Sequence, residues 1–283
     1  VIRDPFGHRW MVVTERAEPG TGPGGVEPVP AALHHGDLGY VSLWVPDAGR
    51  AAAFFAAVLG WTFEQDGGDP ASPRRVAGHR LHHGLVGGVD EATLFCCYAV
   101  EDADAAAERI RAAGGTTADP RDEPYGRVVD ATDPEGMRFA VFTPPGGALP
   151  RRGEHRHEDA PNRGDRSPRQ GDVVYVTMEV HDSARTRSFY GAVLGWEASP
   201  GRVEDGWNVE GVSPMFGIAG GQPQARCVPM YQVDDVHAAV ARVRAAGGRA
   251  TDPEVQPYGV TSDATDDQGT RFYLGQLGPT GAS

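Results

Sequence analysis

The stretch VLGW at residues 58–61 returns at residues 193–196, and three further stretches return with it. AAGG at 112–115 recurs at 245–248, PYG at 124–126 recurs at 257–259, and DATD at 130–133 recurs at 263–266. The offset is 135 residues at the first stretch and 133 at the others, so the second copy is shorter in its middle. Solenoid repeats run to only about 20 to 50 residues, and a repeat of this length therefore indicates two duplicated modules.

The composition is that of an acidic globular chain. Of the 283 residues, 40% are hydrophobic, which is enough for the cores of about two domains. The formal net charge of −13 disfavours nucleic acid and anionic lipid, because both bind concentrated Lys and Arg. No apolar stretch approaches the roughly 20 residues that span a bilayer, and the chain start does not read as a signal peptide. These features predict a cytoplasmic protein with no nucleic-acid and no membrane partner.

Each copy carries the same order of predicted elements. An alternating strand, residues 40–45 or 175–180, leads to an aspartate that suits the N-cap of a helix ending at the glycine of VLGW. Two short strands follow, and a second, Ala-rich helix opens at another aspartate and closes at Gly-Gly. A turn and a final strand end the copy. The predicted fold class is α+β, with two tandem β-α-β-β-α-β modules. The capping aspartates are Asp47, Asp102, Asp182 and Asp235.

Composition places the modules at residues 37–145 and 171–278. Residues 17–36 and 146–170 are rich in Pro, Gly and charged side chains without a hydrophobic period, which is typical of linkers. The stretch DPFGHRW at 4–10 repeats the pattern of DPEGMRF at 133–139, so residues 1–16 are predicted to be the terminal strand of a truncated third module. Either the chain is a fragment of a longer reading frame, or this strand has a function of its own.

The order of these motifs resembles the vicinal oxygen chelate superfamily. The resemblance rests on the Asp-capped helix ending in L-G-W, on V-x-D before the helix ending in A-A-G-G, and on P-Y-G followed by D-x-x-G-x-x-F. That superfamily includes glyoxalase I, extradiol dioxygenases and bleomycin-resistance proteins. The resemblance covers most of the chain and implies two modules paired around a shared cleft.

The metal-ligand positions of that superfamily hold no suitable ligand set in this sequence. Divalent metals in such sites take three or four nitrogen or oxygen ligands, so we expect no metal and no other cofactor. Among nearby residues, only Glu179 offers a strand carboxylate on the same side. The positions that the resemblance assigns are Tyr40, Phe95 and Ala140 in the first copy, and Tyr175, Val228 and Tyr273 in the second.

Alternation along the predicted strands puts rings and hydroxyls on the face away from the helices. Such a face favours a planar or amphipathic ligand, and the same rings could instead fill a closed barrel. Arg138 and Arg271 are expected at the rim, where they would pair with an anionic ligand or with surface acids. Tyr125 and Tyr258 are expected at the cavity mouth, where they would gate the ligand or simply belong to a turn. The other predicted ligand-binding residues are Tyr40, Ser42, Trp44, Phe95, Phe142, Tyr175, Thr177, Glu179 and Tyr273.

Two polar motifs allow two interpretations each. His79, His82 and His83 have a spacing that could hold a cation, and their glycine-flanked hairpin favours a solvated loop instead. The aspartates of the two DATD stretches could pair for acid–base chemistry, and their Gly and Pro neighbours favour turn formation.

Three classes of function follow from these observations. The favoured class is a metal-independent protein that binds a drug or metabolite and confers antibiotic resistance, as bleomycin-resistance proteins do. The alternative is a metal-dependent glyoxalase- or dioxygenase-like enzyme, and the third class is a metal-free enzyme or an accessory domain, so enzyme status stays open. The expected partner is a small aromatic organic ligand. Both modules lie in one chain, which is compatible with a monomer or a homodimer.

Overall fold

The computed structural model describes residues 2–3, 9–10, 33–64, 73–146, 149 and 168–278. Near the chain start, strands β1 (Ile2–Arg3) and β2 (Arg9–Trp10) pair antiparallel, with Ile2 opposite Trp10. Most of the two predicted linkers lies outside the described residues. The third-module origin of residues 1–16 and the exact module boundaries stay predictions.

The first copy, residues 37–145, contains an eight-stranded mixed sheet and two helices. Its elements are β3 (Leu38–Trp44), α1 (Ala48–Leu59), β4 (Arg74–Val76), β5 (His82–Val86), β6 (Thr93–Ala99), α2 (Ala103–Ala112), β7 (Thr116–Thr117), β8 (Arg121–Glu123), β9 (Gly126–Thr132) and β10 (Arg138–Thr143). The strand order is β4-β5-β3-β6-β10-β9-β7, and β8 pairs with β9. At the centre, β3 runs antiparallel to β6, and β6 runs parallel to β10.

The second copy, residues 171–278, repeats this plan with nine strands. Its elements are β11 (Val173–Glu179), α3 (Ser183–Leu194), β12 (Ala198–Pro200), β13 (Gly206–Val209), β14 (Met215–Ala219), β15 (Arg226–Gln232), α4 (Val236–Ala245), β16 (Arg249–Ala250), β17 (Glu254–Gln256), β18 (Gly259–Thr265) and β19 (Arg271–Leu277). The order is β12-β13-β14-β11-β15-β19-β18-β16, with β17 on β18. β11, β15 and β19 therefore take the places of β3, β6 and β10.

The helices begin at the predicted caps. The Asp47 carboxylate accepts a hydrogen bond from the backbone N–H of Arg50, and Asp182 caps α3 in the same way through Arg185. The glycine of VLGW closes both helices in the left-handed region, with φ of 76° and 67°, where a side chain would be strained. Asp102 and Asp235 cap α2 and α4.

The two copies join through their helix-bearing faces. Side chains from both sheets and from α1, α2, α3 and α4 form one hydrophobic core. Phe55 of α1 packs on Tyr231 and Phe272 of the second copy, with ring centroids 5.9 and 5.3 Å apart. Tyr98 of β6 in turn packs on Trp196 at 5.3 Å. Each copy thus completes the core of the other.

This arrangement confirms the fold class and corrects one part of it. Each copy is α+β and contains the predicted β-α-β-β-α-β elements in order. Each also has strands that were not predicted, which are short except for the seven-residue β9 and β18 inside the sheets. The contact between copies occupies the helix-bearing faces, so the two opposite faces point away from each other. Two separate faces therefore replace the predicted shared cleft.

Two tryptophans tie each copy to the start of the other. The indole Nε1 of Trp61 donates a hydrogen bond to the Gly171 carbonyl at 3.2 Å, and Nε1 of Trp196 donates to the Gly36 carbonyl at 3.0 Å. Both glycines have positive φ, and a Cβ at either position would lie about 3 Å from the indole. We call this reciprocal pair of contacts the tryptophan latch.

The helices of the described chain are short. α1 and α3 have 12 residues each, and no helix in the described ranges has the length and apolar character needed to cross a membrane. The three cysteines, Cys96, Cys97 and Cys227, are buried and free.

Candidate functional site

The structure divides the predicted ligand residues between the two copies, on the side of each sheet that faces away from the helices. We call the group in the first copy the first face and the group in the second copy the second face. The first face contains Tyr40, Ser42, Trp44, Phe95, Tyr125, Arg138 and Phe142. The second face contains Tyr175, Thr177, Glu179, Tyr258, Arg271 and Tyr273.

The first face is filled by its own side chains. Tyr40 lies opposite Cys97 in the β3–β6 ladder, and Cys97 lies opposite Ala140 in the β6–β10 ladder. These residues belong to a second hydrophobic cluster, separate from the shared core. The cluster consists of Cys97, Ala99, Val128, Ala140 and Phe142, with Leu33, Tyr40, Phe95, Tyr125 and Leu149 packed against it. On the first face, the rings therefore fill the sheet's own concavity.

Trp44 marks the end of the first face. Its ring stacks on Phe95 with centroids 4.8 Å apart and planes 2° apart, and only 5% of the tryptophan is exposed. The Arg138 guanidinium carbon lies 4.4 Å from the centroid of the same ring, which is a cation–π contact. Arg138 is thus placed on Trp44, at the edge where the sequence predicted a rim arginine.

A glycine in the neighbouring strand makes room for the tyrosine of each face. The Tyr40 hydroxyl lies over Gly84, and the Tyr175 hydroxyl lies over Gly217 at the equivalent position. A side chain at either glycine would collide with the phenol. Burial raises the pKa of Tyr40 far above its ordinary value of 10, so this phenol stays protonated at neutral pH.

The second face is exposed at its edges. Tyr175 lies opposite Met230 in the β11–β15 ladder, and Met230 lies opposite Tyr273 in the β15–β19 ladder. Tyr258 and Met215 at the edges are 51% and 52% exposed, whereas Met230 at the centre is buried. Tyr175 and Tyr273 are half-buried. The exposed edge therefore distinguishes the second face from the first.

A buried carboxylate anchors two arginines on the second face. Glu179 is 4% exposed, and its Oε2 accepts a hydrogen bond from Arg226 Nε at 2.6 Å. Arg271 approaches Oε1 of the same carboxylate at 2.9 Å. Two guanidinium groups thus share one carboxylate, and the Asp263 carboxylate, opposite Tyr273 in the β18–β19 ladder, offsets the remaining positive charge. The guanidinium donors suit an oxygen-rich ligand.

The phenols of the second face are donors at neutral pH. Burial raises the pKa of Tyr273 to about 12, with the nearby Glu179 carboxylate acting in the same direction and Arg271 opposing it. Burial also raises the pKa of Tyr175, and Tyr258 contributes. Protonated phenols can donate hydrogen bonds to carbonyl or quinone oxygens of a ligand.

Neither face fits the divalent metal of the superfamily. The three positions hold one phenol, one phenyl ring and one methyl group in the first copy, and two phenols and an isopropyl group in the second. The raised phenol pKa values disfavour the ionised oxygen that a metal would need. In the described part of the chain, no three His, Cys, Asp or Glu side chains are grouped to hold a metal.

Sequence reasoning missed three residues of the two faces. Arg226, which holds Glu179, stands two residues before Val228, and alternation alone would have assigned it to the same face. Cys97 lies between Tyr40 and Ala140 across the first sheet. Met230 lies between Tyr175 and Tyr273 across the second sheet. Their burial and apolar character gave no functional signal.

The histidine motif corrects another expectation. His83 is 1% exposed, its ring packs 4.7 Å from that of Trp61, and its Nε2 lies 3.3 Å from the Tyr231 hydroxyl. His79 Nδ1 lies 3.3 Å from the Asp172 carboxylate. These two histidines are therefore buried at the contact between copies, where the sequence favoured a solvated loop. Burial lowers the pKa of His83 to about 3.

The second aspartate of each DATD stretch, Asp133 or Asp266, serves a turn. The turn prediction was wrong for the first, because Asp130 and Asp263 lie in β9 and β18, where Asp130 pairs with Arg121. Asp133 Oδ1 accepts hydrogen bonds from the backbone N–H groups of Glu135 and Met137, and Asp266 bonds its own turn in the same way. This geometry accounts for these two carboxylates without acid–base chemistry, as turn formation predicted.

Comparison with known families gives one match that covers most of the chain. A family described as a glyoxalase-like domain matches residues 40–142 and again residues 175–274. The two matches coincide with the two copies. They support the resemblance on which the superfamily was identified.

Curated relatives and solved structures match nearly the full length. The chain is 28% identical over 271 residues to the anthracycline biosynthesis protein DauV of Streptomyces sp. (strain C5), and 27% identical to DnrV of Streptomyces peucetius. Each match covers 84% of this chain and 92% of the relative. The 2,3-dioxygenase LapB from Pseudomonas sp. KL28 superposes with a TM-score of 0.61 at 17% identity, covering 88% of this chain and 94% of that chain. The Mn(II)-bound glyoxalase from Novosphingobium aromaticivorans gives 0.60 at 17%, covering 86% and 82%. At this identity the structures show the shared fold.

Proposed function

The chain belongs to the glyoxalase-like family of the vicinal oxygen chelate superfamily, and from that premise we propose that its second face binds a planar aromatic molecule without a metal. The observation that carries the proposal is the contrast between the faces. The first face is filled by its own rings, and the second combines an exposed tyrosine, Tyr258, with an arginine–glutamate trio. A metal-independent binding protein of cytoplasmic location is the function that this arrangement supports best.

The chemistry of the second face suits a fused ring system that carries oxygen. Phenol rings stack on planar ligands and contribute about 0.5 to 1.5 kcal/mol per pair beyond buried area. Tyr175 and Tyr273 would supply such rings, and their hydroxyls would donate to carbonyl or quinone oxygens. Arg226 and Arg271 would donate hydrogen bonds to a ligand oxygen beside Glu179.

The curated relatives agree with this ligand class. DauV and DnrV are named for anthracycline biosynthesis, and anthracyclines are planar polycyclic quinones. We therefore extend the proposal to an anthracycline-like aromatic polyketide, bound either as a step in its biosynthesis or for protection against it. A single chain contains the complete second face, so no dimer is required for binding.

The proposal is tested by calorimetric titration with 1,4-dihydroxyanthraquinone and with an anthracycline, in buffer with and without EDTA. Binding at one equivalent that EDTA leaves unchanged is the expected result. Binding that requires added Mn²⁺ or Fe²⁺, or turnover of the probe in the metal-loaded protein, would assign the chain to the metalloenzyme class instead.

Matched variants locate the site. Tyr273→Ala gives the second face the residue that the first face has at Ala140, and it should weaken binding about tenfold, or about 1.4 kcal/mol. Tyr175→Phe removes one donor and should weaken binding a few-fold. Tyr40→Phe, the same change on the first face, should have no effect. Equal effects of Tyr40→Phe and Tyr175→Phe would contradict the choice of face.

A further inference from the structure

A cavity of about 370 Å³ lies on the helix-bearing side of the second copy, away from the second face. It opens between α3 and the strands β12, β13 and β14. Ala184 and Ser188, on the exposed side of α3, form its mouth. The lining further includes Arg187, Tyr190, Trp196, Ala198, Val209 and Ile218.

The cavity exists because the second copy lacks one ring that the first copy has. Ala198 follows the VLGW stretch at the position of Phe63 in the first copy. There, the Phe63 ring packs edge-on against Trp61, with centroids 6.3 Å apart. With alanine at this position, Trp196 lines the cavity, although only 7% of its surface is exposed. Ligand pockets of about 300 to 1,000 Å³ are typical, and a cavity of about 150 Å³ already holds benzene.

The floor of the cavity is aromatic. Trp196 and Tyr190 stack with ring centroids 5.2 Å apart and planes 24° apart. Both rings are held from behind, because Trp196 Nε1 donates to the Gly36 carbonyl and the Tyr190 hydroxyl donates to the Asp133 carboxylate. Val209 and Ile218 form apolar walls. This rigid surface suits the face of a single ring.

One wall of the cavity carries an arginine, Arg187. Its guanidinium carbon lies 3.5 Å from the centroid of the Trp207 ring, and Trp207 Nε1 donates a hydrogen bond to the Asp205 carboxylate at 3.1 Å. The same Asp205 carboxylate interacts with the Arg187 charge. In the first copy the equivalent position is Ala52, so this guanidinium group is specific to the second copy. Arg187 therefore brings a cationic hydrogen-bond donor, held in place by Trp207, to the cavity lining.

We propose that this cavity is a second binding site, and that it takes a small one-ring aromatic carboxylate. The ring lies on the Trp196–Tyr190 floor, and the carboxylate accepts hydrogen bonds from Arg187 and from Ser188 at the mouth. The site is independent of the second face, because the two lie on opposite sides of the same sheet.

The direct test is an NMR titration of the ¹⁵N-labelled chain with benzoate. Saturable shifts of the indole N–H signals of Trp196 and Trp207 are expected, while the signal of Trp44 on the first face stays in place. Benzyl alcohol, which has the ring without the charge, should bind at least tenfold more weakly. Benzoate that shifts neither indole signal would overturn the proposal.

Two variants assign the binding to the cavity. Ala198→Phe restores the ring of the first copy, fills the space and should weaken benzoate binding at least tenfold. Arg187→Met keeps the side-chain length and should remove the preference for benzoate over benzyl alcohol. If Ala198→Phe fails to fold, the preference for benzoate over benzyl alcohol in Arg187→Met tests the site alone. A preference retained in Arg187→Met, or unchanged affinity in folded Ala198→Phe, would overturn the site.

Discussion

The first copy carries Phe63 on its helix-bearing side and Phe142 on the opposite side, where the second copy has Ala198 and Gly275. Ala198 lines a cavity, whereas the Met230 side chain lies against Gly275. The backbone elements, the capping aspartates and the glycines that close α1 and α3 are the same in both copies. A few side chains therefore decide how each side of a copy of this fold is filled. Chain fusion allows the two copies to differ in this way, whereas a homodimer of identical copies could not.

The charged groups show the same contrast. At the end of its first strand, the first copy has Trp44 under Arg138, and the second copy has Glu179 between Arg226 and Arg271. On the shared core, His83 of the first copy stands where Phe216 stands in the second. Each of these differences can be removed by exchanging residues between copies.

Separating the copies should have the largest effect. Residues 33–146 and 168–278, produced as two chains, would each lose the partner rings of the shared core and half of the tryptophan latch. We expect neither chain alone to give a cooperative thermal transition by circular dichroism, and the equimolar mixture to regain one. The control is the full chain cut by protease within residues 150–167. A separate copy that unfolds cooperatively would show that the core is not shared.

Glu179→Gln should produce the next largest effect. The change removes the carboxylate that Arg226 and Arg271 share, which is 4% exposed, and leaves Asp263 as the acid near Arg271. Breaking a buried ion pair on one side costs about 3 to 5 kcal/mol, and partial exposure of the arginines places the expected loss near the lower value. Urea unfolding measures it. Asp252→Asn, which removes an exposed ion pair with Arg244, should cost less than about 1 kcal/mol.

His83→Phe introduces the residue of the second copy and should change stability in acid. Burial lowers the pKa of His83 to about 3, so only the unfolded state takes up a proton at this residue between about pH 6.5 and pH 3. Stability is therefore lost as the pH falls through this window, by about 1.4 kcal/mol per unit. Between pH 7.5 and pH 4.5, the free energy of unfolding of the wild type should therefore fall by about 2 to 3 kcal/mol more than that of the variant. Parallel pH profiles for the two proteins would refute this.

Tyr190→Phe should give the smallest effect. It removes the hydroxyl that donates to Asp133 at 3.1 Å and gives α3 the phenylalanine that α1 has at Phe55. The lost hydrogen bond is worth about 1 kcal/mol. Burial raises the pKa of Asp133 to about 6, and the Tyr190 hydroxyl opposes this rise, so the carboxyl pKa measured by ¹³C NMR should increase in the variant.

The reciprocal change sharpens the same comparison. Asp266, the counterpart of Asp133, has a buried Oδ2 without a hydrogen-bond partner in the described chain. Phe55→Tyr should supply a donor there and stabilise the protein by up to about 1 kcal/mol. A loss of stability would mean that α1 leaves no room for the hydroxyl.

The sequence predicted the fold well because its signals are local. The capping aspartates, the VLGW glycine and the strand alternation each act within a few residues, and duplication repeats every signal. The face on which the copies meet could not be predicted in this way. Both sides of each sheet carry rings, so the sequence pattern does not distinguish them. Phe55 and Tyr98 contact partners that lie far along the chain, and a local pattern does not identify such partners.

The candidate site was predictable in part for the same reason. Strand alternation placed Tyr175, Glu179 and Tyr273 on one side of the second sheet. It did not show that Arg226 would hold Glu179, or that the equivalent side of the first sheet would be filled. The burial of His83 depends on Tyr231, which lies 148 residues later.

The tryptophan latch also sets a time scale for synthesis. The contact of Trp61 cannot form before Gly171 has been synthesised, 110 residues further along the chain. The contact of Gly36 likewise requires Trp196, 160 residues further along. At roughly 5 to 20 residues per second on the ribosome, the first contact cannot form until about 5 to 20 s after Trp61 is made. Throughout this interval Phe55 and Tyr98 have no partner rings from the second copy. We therefore expect the nascent first copy to expose these rings until the second copy has been made.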